Sequence, residues 1–210
     1  MTSPSHLRSA PVFFGLALAV TAPKALAGAE APDGSGGIVT QVENSDALKG
    51  GIDLSGSVTL DADVRTVWDV LTRCDLQLRY VPGLERCEVV ASGQETVLDK
   101  EGRPLTRAWD ARRQTLDYAF PFPTIRTELR AVYTPGERID FTAQGGDVKD
   151  LYGHWTLEPH AEGGTRVRYS ATFKSGLPVP RSLVRKSSRK DLPLLFERLR
   201  AVTRDIARER

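Results

Sequence analysis

The residues able to do chemistry are few: three histidines, two cysteines and scattered carboxylates in 210 residues. There is no H-E-x-x-H, no Cys/His zinc spacing, no P-loop, no G-x-S-x-G and no glycine fingerprint between a strand and a helix. His6 lies in an apolar N-terminal stretch. His154 would be a base if it faced an enclosed site, but it alternates with Gly153 and Trp155 and shares the polar side with Tyr152. Asp147 and Asp150 would be acids, yet they sit at a strand connection, where a turn role is more natural. No nucleophile, base and orienting group come together, so no catalytic residue, metal ligand or cofactor is assigned. Cys74 and Cys87, 13 positions apart, either form a disulfide, whose closure would add about 3 kcal/mol, or are two separately buried thiols.

The sequence is richer in residues that suit a greasy cavity. Trp109, Tyr118, Phe120, Leu129, Tyr133, Phe141, Trp155, Tyr169, Leu195 and Leu199 recur at strand and helix periods. They are candidates to line a ligand pocket, and ordinary core is the alternative for each. Trp and Tyr join an apolar ring to a polar tip, which suits an amphipathic guest. Arg107 shares a period-two face with Leu105 and Trp109. If that face is inward, its guanidinium needs a carboxylate, a phosphate or a ligand oxygen; if the register is shifted, it is solvated.

These residues must be positioned by strands and a helix. Residues 52–60 alternate as a strand. Asp61 is expected to cap a helix whose apolar face is Val64, Val67, Trp68 and Leu71, and a short helical piece over 75–80 ends at Val81-Pro82-Gly83. From 85 to 173 the period is two, broken by Ser92-Gly93, Glu101-Gly102, Pro135-Gly136, Gly145-Gly146 and Gly163-Gly164. That pattern predicts an antiparallel meander with one wet face. After Leu177-Pro178-Val179-Pro180, Leu192, Leu195, Leu199, Val202 and Ile206 fall at helical spacing. The only apolar partner for this last helix is the dry face of the sheet, so the architecture is α+β.

Residues 1–27 read as a cleavable export signal. Arg8 precedes the apolar run Pro11–Val20, which is too short to span a bilayer, and Ala25-Leu26-Ala27 supplies the cleavage site. Residues 28–48, rich in Gly, Ala, Pro, Asp and Ser, read as a flexible leader, which leaves 49–210 as the folded domain. The whole chain carries a formal charge of +2, and both excess charges, Arg8 and Lys24, leave with the signal. A neutral mature chain argues against a nucleic-acid partner. The expected location is the bacterial periplasm. Residues 181–210 carry ten basic and four acidic side chains. Within them Arg185, Lys186, Arg189 and Lys190 form a candidate contact for an anionic membrane surface, or else a solvated helix face.

Several motifs in order resemble the START-like (SRPBCC) superfamily, and within it the polyketide cyclase/dehydrase and coenzyme Q-binding group. They are Val67-Trp68-Asp69-Val70-Leu71-Thr72, Tyr80-Val81-Pro82-Gly83-Leu84, Phe120-Pro121-Phe122-Pro123, Ile139-Asp140-Phe141, Gly145 through Leu157, Gly164-Thr165-Arg166-Val167-Arg168-Tyr169, and Val179-Pro180 before an Arg-rich helix. The resemblance spans about 52–205 and implies a helix-grip fold, in which a curved antiparallel β-sheet wraps a long C-terminal α-helix around a tunnel. Relatives hold lipids, quinones or polyketide-like compounds, some as enzymes and many as carriers, so membership implies a pocket and not a reaction. The expectation is a protein that binds, or binds and transfers, a lipid, quinone or isoprenoid. The alternative is a cyclase/dehydrase-like enzyme acting on an aromatic or polyketide guest. The oligomeric state is left open.

Overall fold

Side-chain alternation over most of the chain commits it to strands, and the computed structural model, which describes residues 37–99, 101–118 and 122–210, contains eight of them. They are β1 (Val39–Asn44), β2 (Ile52–Leu60), β3 (Leu84–Leu98), β4 (Pro104–Leu116), β5 (Ile125–Thr134), β6 (Arg138–Gly146), β7 (Val148–Pro159) and β8 (Thr165–Ser175). All pair antiparallel in one sheet of order β1-β2-β8-β7-β6-β5-β4-β3. Helices α1 (Val64–Thr72) and α2 (Cys74–Tyr80) interrupt it between β2 and β3, and α3 (Arg181–Arg208) closes it. This is the expected α+β helix-grip arrangement of a curved sheet and a long C-terminal helix.

Two boundaries differ from the sequence reading. The stretch read as flexible leader contains β1, which pairs with β2 from Val39↔Ser57 to Asn44↔Ile52. Val42 is its one buried anchor, too short a pattern to stand out beside a Gly-rich run. The cap of α1 is Asp63, not Asp61: its carboxylate accepts from Thr66 N at 2.6 Å, satisfying one free donor of the first turn. Hydrogen bonding to that backbone donor holds the Asp63 carboxyl below the usual range. Residues 1–27, read from the sequence as an export signal, and residues 28–36 lie outside the described residues.

The core sits where the C-terminal half of α3 meets β2, β7 and β8. Phe196 and Leu199 are fully buried, and Phe196 meets Trp155 edge-on at 6.1 Å. Gly56 on β2 makes room, because a Cβ there would overlap the Phe196 ring. The helix runs through Pro193, which removes one backbone donor from its interior. Cys74 and Cys87 are disulfide-bonded, with Cα atoms 5.4 Å apart, so the start of α2 is fastened to β3.

Replacing Phe196 with Ala should cost about 3–5 kcal/mol, the usual loss for emptying a buried aromatic site. Urea unfolding followed by circular dichroism measures it; a loss below about 1 kcal/mol would mean that α3 is not seated on the sheet here.

Candidate functional site

On β4 the inward positions are Asp110, Arg112, Gln114 and Leu116, fixed by the pairs Arg112↔Leu129 and Leu116↔Ile125 with β5. On β5 they are Ile125, Thr127, Leu129, Ala131 and Tyr133; β6 adds Ile139 and Phe141, β7 Trp155 and β8 Tyr169 and Phe173. Opposite stands the N-terminal half of α3, which presents Val184, Ser187, Ser188, Asp191, Leu192 and Leu195. Between these two layers lies a cavity of 320 Å³, with Leu71, Gln77, Tyr80 and Val81 of α1 and α2 closing one end. The volume falls at the low end of the roughly 300–1,000 Å³ typical of small-molecule sites.

The wall along the sheet is aromatic. Trp155 and Tyr169 are 4.5 Å apart, and Phe141 stacks on Tyr169 at 5.9 Å and 14°. Phe141 lies over Gly153, where a Cβ would come within 2.7 Å of its Cζ. Tyr118 and Phe122 stand 6.0 Å apart at the far end.

The polar groups gather in two places. At the α1–α2 end Arg112, 4% exposed, grips Asp110 at two points, Nε to Oδ1 at 2.7 Å and Nη2 to Oδ2 at 2.8 Å. Nη2 also donates to the Thr72 carbonyl at 2.6 Å and to the Tyr133 hydroxyl, which donates to Asp110 Oδ2 at 2.6 Å. The buried charge is thus paired as a buried charge must be. The Thr127 hydroxyl is buried without a hydrogen-bond partner. Gln114 donates to Gln77 at 3.0 Å. At the α3 side Asp191 accepts from Ser187 at 2.8 Å. Burial raises the Tyr80 and Tyr169 phenols well above their ordinary value, and burial together with the Asp191 charge pushes Tyr118 up to about 12. These hydroxyls therefore stay protonated near neutral pH and act as donors, not bases.

Of the residues expected to line a pocket, Tyr118, Leu129, Phe141, Trp155, Tyr169 and Leu195 line this one. Tyr133 and Leu199 are buried beside it as support and core. Phe120 lies outside the described residues. Arg107 and Trp109 are corrections: they project from the opposite, outer face. There Arg107 pairs with Glu95 at 3.3 Å, Arg130 reaches Glu95 at 2.6 Å, and the Arg130 guanidinium sits 4.7 Å over the Trp109 ring. The physical reason is continuity. Residues 104–116 form one strand, so Leu116 inward forces Arg112 inward and Arg107 outward. The same rule would have found Arg112 and Gln114. Nothing in the local sequence marked Asp191 or Thr127. His154, opposite Asp140, is on the outer face as expected; burial and then Arg138 lower its pKa. Among the described residues no group of three or more His, Cys, Asp or Glu stands together as a metal site.

The family model for polyketide cyclase / dehydrase and lipid transport matches residues 60–200. The chain belongs to this family. No curated protein sequence matches it. Solved structures share the family fold at low identity. The STAR-related lipid transfer protein of Xanthomonas axonopodis (fragment 25–204) is 19% identical, with a TM-score of 0.64 over 83% of this chain and 97% of that one. The Zhui aromatase/cyclase of Streptomyces sp. R1128 is 18% identical, with a TM-score of 0.57 over 75% and 94%. Human STARD10 is 12% identical, with a TM-score of 0.55 over 82% and 71%. The family's description itself names both an enzyme activity and lipid transport, and the likeness of fold does not choose between them.

Replacing Arg112 with Met strands the Asp110 carboxylate in the interior and should cost about 3–5 kcal/mol. The double change Arg112→Met/Asp110→Leu should recover a large part of that loss. Denaturant unfolding of the three proteins checks it; equal losses in the single and double variants would show that the pair is not coupled.

Proposed function

We propose that the chain binds a hydrophobic small molecule with a polar oxygen-bearing end, such as a lipid, quinone or isoprenoid, and carries it. The observation that supports this reading is the cavity itself: 320 Å³, aromatic and aliphatic along its length, with the Arg112 guanidinium and an unpartnered Thr127 hydroxyl on its wall. Sequestering about ten methylenes of a guest would contribute on the order of 8 kcal/mol before ordering costs, enough for micromolar binding without any catalytic group. A second reading, an enzyme of the cyclase/dehydrase kind, is favoured by one observation. Arg112 and Asp191 both line the cavity, giving a cation to steady a developing oxyanion and a carboxylate to take a proton.

We also propose that the mature protein works in the periplasm. The Cys74–Cys87 bond suits an oxidising compartment, in keeping with the export signal. Contact with an anionic membrane would fall to Lys186 and Lys190, which are exposed. Arg185 is held by Asn44 at 3.2 Å, and Arg189 borders a groove that also contains Glu43 and Asp46.

Two outcomes test these readings. Protein purified gently from its native host should carry an extractable hydrophobic compound by native mass spectrometry, and Leu195→Arg should abolish its uptake while the fold is kept. A carrier returns the guest chemically unchanged, whereas an enzyme returns a cyclised isomer, told apart by chromatography, or a dehydrated product of lower mass; persistent emptiness counts against both. For the membrane contact, Lys186→Ala/Lys190→Ala should weaken binding to phosphatidylserine vesicles at low salt about 30-fold, at about 1 kcal/mol per charge. Unchanged sedimentation with vesicles would remove these lysines from any docking surface.

A further inference from the structure

The Cys74–Cys87 disulfide sits at a corner of the cavity wall built from a short helix and an edge strand. Cys74 is the first residue of α2, a helix of seven residues, too short to persist by itself. Cys87 belongs to β3, the last strand of the sheet, which has a strand partner on one flank only. The residues around the bond are cavity residues. Gln114 Nε2 lies 3.8 Å from Cys87 Sγ and donates to Gln77 Oε1, and Gln77 and Gln114 both line the space, as does Tyr80 at the end of α2. The corner is also tied to β4 by Gln114 to Gln77 and by Arg112 to the Thr72 carbonyl, while Gln77 Oε1 lies 3.7 Å from Cys87 Sγ on β3. Both cysteines are partly exposed, so a small dithiol can reach the bond.

We propose that this disulfide is a redox latch on the cavity. Closed, it clamps α2 to the edge strand and retains the guest. Opened, α2 parts from β3 and the guest exchanges through the gap. The proposal rests on the cavity being a ligand site. Opening is thiol–disulfide exchange: a dithiol thiolate attacks one cysteine sulfur, the second thiol of the reductant displaces it, and two protein thiols and a cyclic disulfide result. Local opening of this kind needs no global unfolding.

The test uses cis-parinaric acid as a fluorescent probe, loaded into the full mature protein and released into phosphatidylcholine vesicles in a stopped-flow instrument. Both dithiothreitol treatment and Cys74→Ser/Cys87→Ser should raise the release rate about tenfold or more. Val58→Ala, a core change on β2 at the other end of the sheet order with the bond intact, controls for lost stability. Equal release from oxidised and reduced protein overturns the latch, and so does equal acceleration by Val58→Ala. Amide hydrogen exchange gives a second readout that needs no ligand: reduction should strip protection from 75–81 while 196–203 keep theirs, and a uniform loss overturns the proposal. If the oxidised protein takes up no probe at all, the ligand reading fails, and the exchange pattern still decides whether the corner opens.

Discussion

One helix has to cover eight strands. At about 4.8 Å between neighbours, a flat sheet of that size is about 34 Å across, whereas a helix with its side chains is about 10–12 Å wide. The sheet therefore has to curl, and even then a single stripe of helix side chains cannot fill the concave face. In this protein the mismatch is unevenly distributed. Toward the C-terminus of α3, Phe196, Leu199 and Val202 press into β2, β7 and β8, and the glycine at 56 allows the closest approach. Toward its N-terminus the helix offers Val184, Ser187, Ser188 and Asp191, smaller or polar side chains that leave the sheet uncovered. The cavity is the unfilled half of one interface.

What the helix leaves open, α1 and α2 close, and they do so by polar means. Arg112 anchors the Thr72 carbonyl between the two helices and is itself held by Asp110 and Tyr133. A buried ion pair of this kind adds little net stability over a well-packed apolar replacement. Its effect is positional: it places a guanidinium at the end of an apolar space, with its charge balanced by Asp110. Protonated phenols along the same wall extend a lining of donors. Such a lining orients an amphipathic guest, and it leaves reaction to depend on Asp191 alone for an acceptor of protons.

The fold was legible in the chain because long meanders advertise themselves by period, and because the final helix had only one apolar surface to meet. The pocket's apolar wall followed from the same periods: Leu129, Phe141, Trp155 and Tyr169 needed only the correct parity within their own strands. The polar residues were harder. Trp109 and Arg107 seemed inward because Leu105 and Trp109 look like a hydrophobic face, yet the strand protrudes there beyond β5, which pairs only from Ala108 onward. In that stretch apolar side chains are tolerated outside, with Leu105 exposed and Trp109 sheltered by Arg130. Parity counted from Leu116 gives the right answer; parity counted from Trp109 does not. Asp191 was invisible for a different reason. A lone acid in a basic helix segment reads as solvated, and only its place on the cavity side of α3, beside Ser187, Ser188 and Leu195, shows otherwise.

The edge of the sheet joins these points. An edge strand is ordinarily protected by charge, a bulge or a covering element. β3 has a bulge between Val89 and Ala91, and Glu85, Arg86 and Glu88 occupy the exposed stretch just before it. Its inner side at Cys87 is covered by α2, and the disulfide makes that cover covalent. The same element thus shields a sheet edge, closes a cavity and holds the segment that Arg112 orients. One bond thus serves all three, joining a helix too short to persist alone to a strand with one flank unpaired.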